Sequence, residues 1–324
     1  RSFRMSRQPT SSKYDFVKVR VWLQDHYYTF SRFLVSRVLT VTQVSYADSL
    51  KISLAVKKVL VDRGTFDVTQ EQMEEALFNI MRLHGYGDEH ICRYRLMTKF
   101  NHQRVPLVVM VIGTGCVGKS TLATQLAERL NLSAVLQTDL VFEVSCHASI
   151  QDGVLREVKT VYQRFETDEE FISSFRRECE AVNGGLQGEL HKVLEEGKSI
   201  IIEGIHLDPT LFHNLKRKAE DAEKENGDPF IWAPFLLCTT AEEHENFLDN
   251  HWHPDLLEVL SNLGSSRAEI MTELKKNFAR IETYLMDGCK SMGIPVISTS
   301  VNGFSETLDS LHSIVLDRMQ AVVA

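Results

Sequence analysis

The run Gly113-Thr114-Gly115-Cys116-Val117-Gly118-Lys119-Ser120 has the composition of a loop that wraps a polyphosphate. Glycines let successive backbone N–H groups turn inward around an anion, and a helix starting there adds its positive dipole end. The apolar residues 105–112 come before it and Thr121-Leu122-Ala123-Thr124-Gln125-Leu126 after it, so strand, loop and helix stand in the order such a site requires. In that setting Lys119 would reach the β- and γ-phosphates and the Ser120 hydroxyl would ligate Mg²⁺. Gly113, Thr114, Gly115, Cys116, Val117, Gly118 and Thr121 would complete the cradle for a nucleotide triphosphate. A glycine-rich turn without a ligand gives no reason for Lys119 and Ser120 to occur together.

Two carboxylates stand where a phosphoryl acceptor would lie. Asp139 follows the short apolar run 134–138, at the tip of a second strand expected beside the first. There it orients Mg²⁺ through water or takes the proton of an attacking hydroxyl, and it also suits the cap of the next helix. Glu203 ends the run Ile200-Ile201-Ile202, and a carboxylate at the carboxyl end of a buried parallel strand needs a metal, cation or donor. His206, three residues on, either contacts substrate or hydrogen-bonds backbone.

Charge on the transferred group calls for cations. Arg267, Lys275, Lys276 and Arg280 share a helix expected from 266 to about 286, and Arg280 is the one assigned to close over the phosphoryl group. Arg156, Arg176 and Arg177 are further candidates for the acceptor, with Arg177 assigned alongside Asp139, Glu203 and His206. His244, His251 and His253 lack the spacing of a helical ligand pair and read as a polar loop rather than a metal site. Cys116 sits where a helix N-terminus lowers a thiol pKa, and also reads as a small side chain at a variable loop position.

Elements to position these groups are legible along the 324 residues. Alternation over 16–23 predicts a half-buried strand, and 27–30 a second strand completing a hairpin. Helices are expected at 31–39, 46–62, 69–84 and 88–100, giving a mostly helical domain over 1–104. From 105 to 324 strands at 107–112, 134–138, 199–203, 232–239 and 295–299 alternate with helices, which predicts a parallel sheet covered on both faces. The longest helix is expected to start at the capping box Thr167–Glu170 and stop at Gly197, with Gly184-Gly185 as an interruption.

With 43% hydrophobic residues the chain can bury a sizeable core. A net charge of -8 argues against nucleic acid and anionic membrane as partners, and any anionic ligand must be gripped by a local basic cleft. The six cysteines are scattered without a C-x-x-C pair and read as reduced thiols of a cytoplasmic protein. No apolar run is long enough to span a bilayer. The chain opens on Arg1 rather than Met and reads as a fragment, with a basic, Ser-rich, disordered start. Oligomeric state leaves no mark on the sequence.

Several tracts together resemble a known family. They are 30–37 (Phe-Ser-Arg-Phe-Leu-Val-Ser-Arg), 102–106 (His-Gln-Arg-Val-Pro), the phosphate loop, Thr138-Asp139, 202–209 (Ile-Glu-Gly-Ile-His-Leu-Asp-Pro) and 276–281 (Lys-Asn-Phe-Ala-Arg-Ile). The chain resembles the 2-phosphoglycerate kinase family, and most closely its eukaryotic, plant low-phytic-acid-type P-loop members. The resemblance implies a nucleoside-monophosphate-kinase-like P-loop NTPase domain and an N-terminal domain similar to an ATP-cone. It also implies an ATP- and Mg²⁺-dependent kinase acting on a small anionic phosphorylated substrate, such as 2-phosphoglycerate or an inositol phosphate. Where the family's lid carries arginines, residues 243–250 read Glu-His-Glu-Asn-Phe-Leu-Asp-Asn. A nucleotide-binding regulatory protein without transfer chemistry is therefore the second reading. Asn183-Gly184 also replaces a basic stretch, and the paired basic residues of an ATP-cone are not reproduced near Lys18-Val19-Arg20.

Overall fold

A computed structural model describes residues 13–149, 159–224, 229–251, 266–300 and 303–323. The chain divides into two compact units, Arg1–Lys99 and Phe100–Ala324.

In the first unit a helical turn, α1 (Lys13–Phe16), precedes the hairpin of β1 (Arg20–Leu23) and β2 (His26–Thr29). Val21 pairs with Tyr28 across it, and Gln24 takes a positive φ of 55° at the turn. The expected strand from 16 is thus shortened to four residues, although Val19 and Val21 still face the core and Arg20 solvent. A third strand, β3 (Asp67–Thr69), joins β1 in parallel. With only three residues it has no periodicity to betray it, and the sequence reading missed it. Helices α2 (Arg32–Val41), α3 (Tyr46–Asp62), α4 (Gln70–Leu83) and α5 (Asp88–Gln103) supply the rest. Thr69 and Gln72 form the reciprocal capping box that starts α4. Leu39, Ile52, Val56, Leu77 and Met81 close a core over Val19 and Val21.

In the second unit five parallel strands run in the order β5-β6-β4-β7-β8. The central β4 (Leu107–Ile112) is buried at every position, which is why it reads as an unbroken apolar run. β6 (Ser199–Gly204) and β7 (Ile231–Cys238) flank it, with β5 (Val135–Gln137) and β8 (Val296–Ser298) at the edges. Val108, Met110 and Ile112 face a core built with α8 (Asp168–Glu196) and α11 (Arg267–Ser291). α6 (Lys119–Leu130) and α12 (Phe304–Val323) pack on one another and on the sheet. α7 (Thr138–Ser149), α9 (His213–Lys224) and α10 (Ala241–His251) complete the described helices. None of them is long and apolar enough to cross a membrane.

Two expectations are corrected here. α8 is not interrupted at Gly184-Gly185 but runs unbroken to Glu196. Two glycines cost a helix about 1 kcal/mol each, less than is returned by burying Phe171, Phe175, Val182, Leu186 and Leu190 on one face. Gly185 also lets α7 approach, since a Cβ there would come 2.8 Å from the Val141 Cγ1. His244 and His251 are likewise not in a polar loop; they belong to α10.

Candidate active site

The phosphate loop leaves the carboxyl end of β4 and turns into α6 through Gly118, whose φ of +82° suits glycine. Its carbonyls are held. The Lys119 Nζ donates to the Thr114 carbonyl at 2.5 Å, the His244 Nε2 to the Gly115 carbonyl at 2.8 Å, and the Thr299 hydroxyl to the Val117 carbonyl at 3.3 Å. Because a carbonyl only accepts, His244 must carry its proton on Nε2. With the carbonyls turned into the protein, the loop's N–H groups are free to face an anion. Phe278 of α11 lies against the loop so tightly that a Cβ on Gly115 would come within 2.7 Å of the ring. The Thr114 hydroxyl is buried in the loop without a hydrogen-bond partner. Cys116 adopts a positive φ of 63°, and burial pushes its thiol up from the ordinary value against the pull of Lys119.

Behind the loop, burial lowers the Lys119 ammonium below its ordinary pKa, opposed by Glu203, Asp139 and Cys116. The Ser120 hydroxyl donates to Glu203 at 2.8 Å, so the end of β6 meets the start of α6. Gly204 lets the end of β6 approach the start of α7: a Cβ there would lie 1.6 Å from the Thr138 Oγ1. Thr121 follows, exposed on the first turn of α6.

Asp139, on the first turn of α7, receives the Lys159 Nζ at 2.9 Å and lies 3.8 Å from the His206 Nδ1. Desolvation pushes this carboxyl up, but Lys159, His206 and Lys119 outweigh it and hold the pKa below the usual value. His206 is buried, stacked on Phe142 at 5.1 Å and facing Phe175 at 6.4 Å. Its Nε2 lies 3.6 Å from Glu178 of α8. The ring thus spans Asp139 and a second carboxylate that sequence reasoning did not name. Of the tract 203–209, Asp208 and Pro209 are structural: the Asp208 carboxylate caps a 3-10 turn at Thr210 and accepts from Tyr284 at 2.6 Å.

Lys119, Ser120, Asp139, Glu203 and His206 are therefore brought together at the carboxyl ends of β4, β5 and β6. Arg280 and Arg177 are placed differently. Arg280 pairs with Asp168 at 2.5 Å, reaches the Asn277 side chain at 3.2 Å and covers the Phe171 ring. Arg177 and Arg176 are exposed on α8. Lys275 pairs with Asp249 at 3.0 Å and Lys276 with Glu273 at 3.9 Å. Arg267 opens α11, while Arg156 and His253 lie outside the described residues. Among the described residues no group of three His, Cys, Asp or Glu side chains could hold a metal, and the five described cysteines are free thiols.

Thr299, Lys159 and Glu178 escaped the sequence reading, and His244 was read only as part of a polar loop, because each reaches the site from a distant segment. Asn277 and Phe278 carried a signal, standing beside Arg280 in the tract 276–281.

A glycine-lysine-serine loop at the end of the central strand of a parallel sheet, with helices on both faces, defines a P-loop nucleotide-binding domain. The family described as AAA domain matches residues 109–219. The 2-phosphoglycerate kinase of Methanocaldococcus jannaschii is 25% identical over 299 residues, covering 91% of this chain and 90% of that protein. That of Methanopyrus kandleri is 24% identical over 308 residues, covering 93% and 88%. That of Pyrococcus furiosus is 30% identical over 187 residues, covering 56% and 61%. Among solved structures, shikimate kinase from Acinetobacter baumannii in complex with shikimate aligns with a TM-score of 0.38 and 16% identity, covering 68% of this chain and 97% of that one. The protein is a kinase-type phosphotransferase. Over most of its length its relatives are proteins named 2-phosphoglycerate kinase.

Proposed function

We propose that the protein transfers the γ-phosphoryl group of ATP, with Mg²⁺, to a hydroxyl of a small phosphorylated acid or polyol such as 2-phosphoglycerate or an inositol phosphate. The observation that carries this reading is the pairing of Ser120 with Glu203 at 2.8 Å beside the buried Lys119, with Asp139 across the crevice. An oxygen donor set of one hydroxyl and two carboxylates suits Mg²⁺, which keeps several waters and uses few protein ligands. Ser120 and Glu203 would hold it, Asp139 directly or through water, and it would neutralise the β- and γ-oxygens. Lys119 leaves the Thr114 carbonyl to grip the phosphates. Asp139 accepts the proton of the acceptor hydroxyl as its oxygen bonds to the γ-phosphorus and the bond to the leaving ADP oxygen breaks. His206, between Asp139 and Glu178, orients that carboxylate.

The N-terminal unit is similar to an ATP-cone in this reading and takes a docking or regulatory role. The second reading, a non-catalytic ATP-binding regulator, is favoured by one observation: α10 carries no Lys or Arg, and Arg280 is engaged by Asp168. ADP formation measured against 2-phosphoglycerate, 3-phosphoglycerate and a set of inositol phosphates, alongside ATP titration, separates the readings. A kinase releases ADP only with an acceptor and loses that in Lys119→Ala. Tight ATP binding with no acceptor-dependent ADP leaves the regulator, and turnover without any acceptor means an ATPase.

A further inference from the structure

We propose that Lys159 is the cation that receives the acidic group of the acceptor, presented over Asp139 by a strap, residues 160–163, that α8 and α11 clamp. The assignment rests on the kinase reading above.

The strap is fastened from both sides. The Thr160 backbone N–H and hydroxyl both donate to Glu178 of α8, at 2.5 and 2.8 Å, and the hydroxyl also meets Ser174 at 2.9 Å. From α11, the buried Asn277 donates its side-chain amide to the carbonyls of Val161 at 3.1 Å and Gln163 at 3.0 Å. Residues 160–162 form a single 3-10 turn; holding so short a connection this firmly costs conformational entropy, and binding residues are disproportionately carried on such connections. Lys159 is presented at one end, its side chain only 23% exposed, with Nζ 2.9 Å from Asp139 and over the Phe142 ring. Tyr162 is at the other end, in the same cluster as Cys116 of the phosphate loop. Burial, then the charges of Asp139, Cys116 and Glu178, push its phenol up to about 12, so it stays a neutral hydroxyl. The strap therefore runs along the crevice from Asp139 toward the loop.

Charge decides what Lys159 is for. Asp139, Glu203 and Glu178 place three carboxylates around the crevice, and a phosphorylated acid adds at least two more negative charges. Lys119 is committed to the nucleotide and Arg280 to Asp168. Among the described residues beside Asp139, Lys159 is the ammonium left to meet the incoming anion. Its pair with the half-exposed Asp139 is of the kind that exchanges readily for a stronger acceptor such as phosphate.

The test is calorimetric binding of 2-phosphoglycerate, 3-phosphoglycerate and inositol 1-phosphate, each of which keeps a free hydroxyl, to the full chain saturated with Mg²⁺ and a non-hydrolysable ATP analogue. Lys159→Met and Lys159→Gln are expected to weaken the acceptor that wild type binds by about 10- to 100-fold, the loss of one charge-assisted contact. Affinity for the analogue should stay within about twofold, and Lys159→Arg should recover most of the loss, neither of which a merely structural lysine predicts. Wild-type acceptor affinity in both Lys159→Met and Lys159→Gln, or an equal loss of analogue affinity, overturns the assignment and leaves the kinase reading standing. Failure of wild type to bind any of the three anions overturns both.

Discussion

Replacing His244 with Ala removes the donor that holds the Gly115 carbonyl at 2.8 Å and the ring that meets Phe278 at 5.8 Å. The hydrogen bond itself is worth about 0.5–1.5 kcal/mol net, but the carbonyl it strands inside the protein costs about 1–3 kcal/mol. Part of this falls on the fold and lowers the melting temperature by about 2–4 °C per kcal/mol for a unit of this size. The remainder falls on binding, because a loop that has turned Gly115 to find another donor must be turned back when nucleotide arrives. If all of the stranding cost appears there, Mg-ATP affinity drops by about 5- to 150-fold. Titration calorimetry of Mg-ATP into wild type, His244→Ala and His244→Gln measures it, and Gln, which can still donate, should fall between the other two. A folded His244→Ala protein that binds Mg-ATP within twofold of wild type would refute the idea that the loop is pre-set by its carbonyl partners.

Other outcomes follow from single contacts. Gly204→Ala should destabilise by about 3 kcal/mol or more, from the collision with Thr138 and the positive φ of 156°. Adding Thr138→Ala should restore part of that, and equal urea midpoints for the single and double variants would rule the collision out. Cys116→Gly relieves a left-handed side chain but frees the unfolded chain, so its stability should change by no more than about 1 kcal/mol, while the β-branched Cys116→Val should lose about 1–2 kcal/mol. Equal tolerance of Gly and Val in chemical denaturation would contradict the loop geometry. In the N-terminal unit, hydrogen bonds from Lys51, Ser45 and Tyr86 lower the Asp48 carboxyl from 3.8 to about 2. The unfolded chain then binds more protons in that window, so this stabilisation is complete above the unfolded value and fades as pH falls toward 2. Thermal unfolding of Asp48→Asn between pH 2 and 4 should have a shallower slope than wild type, and parallel curves would remove Asp48 from the acid response.

The legible parts of this protein are those whose signals lie close together in the chain. β4 and α3 begin and end at the residues their patterns mark, because caps, glycines and apolar periodicity act within one or two turns. α8 passed through its glycines because burial of its apolar face outweighs propensity, and that balance needs knowledge of the neighbours. The same holds for α10, whose polar composition hides the buried side chains of His244 and Leu248.

From its sequence alone, the protein is a two-part chain with a phosphate loop and carboxylates at the ends of parallel strands. Lys119, Ser120, Asp139, Glu203 and His206 carry their chemistry in residue type and in place along an element. Which of them touch was decided by tertiary structure. Ser120 meets Glu203 across 83 positions and His244 meets Gly115 across 129, and Lys159 rather than Arg280 or Arg177 stands beside Asp139. Hydrogen bonds and ion pairs act over a few ångströms, whereas sequence patterns record spacing along the chain. Partners from separate elements become neighbours only when the sheet order and helix packing close the crevice.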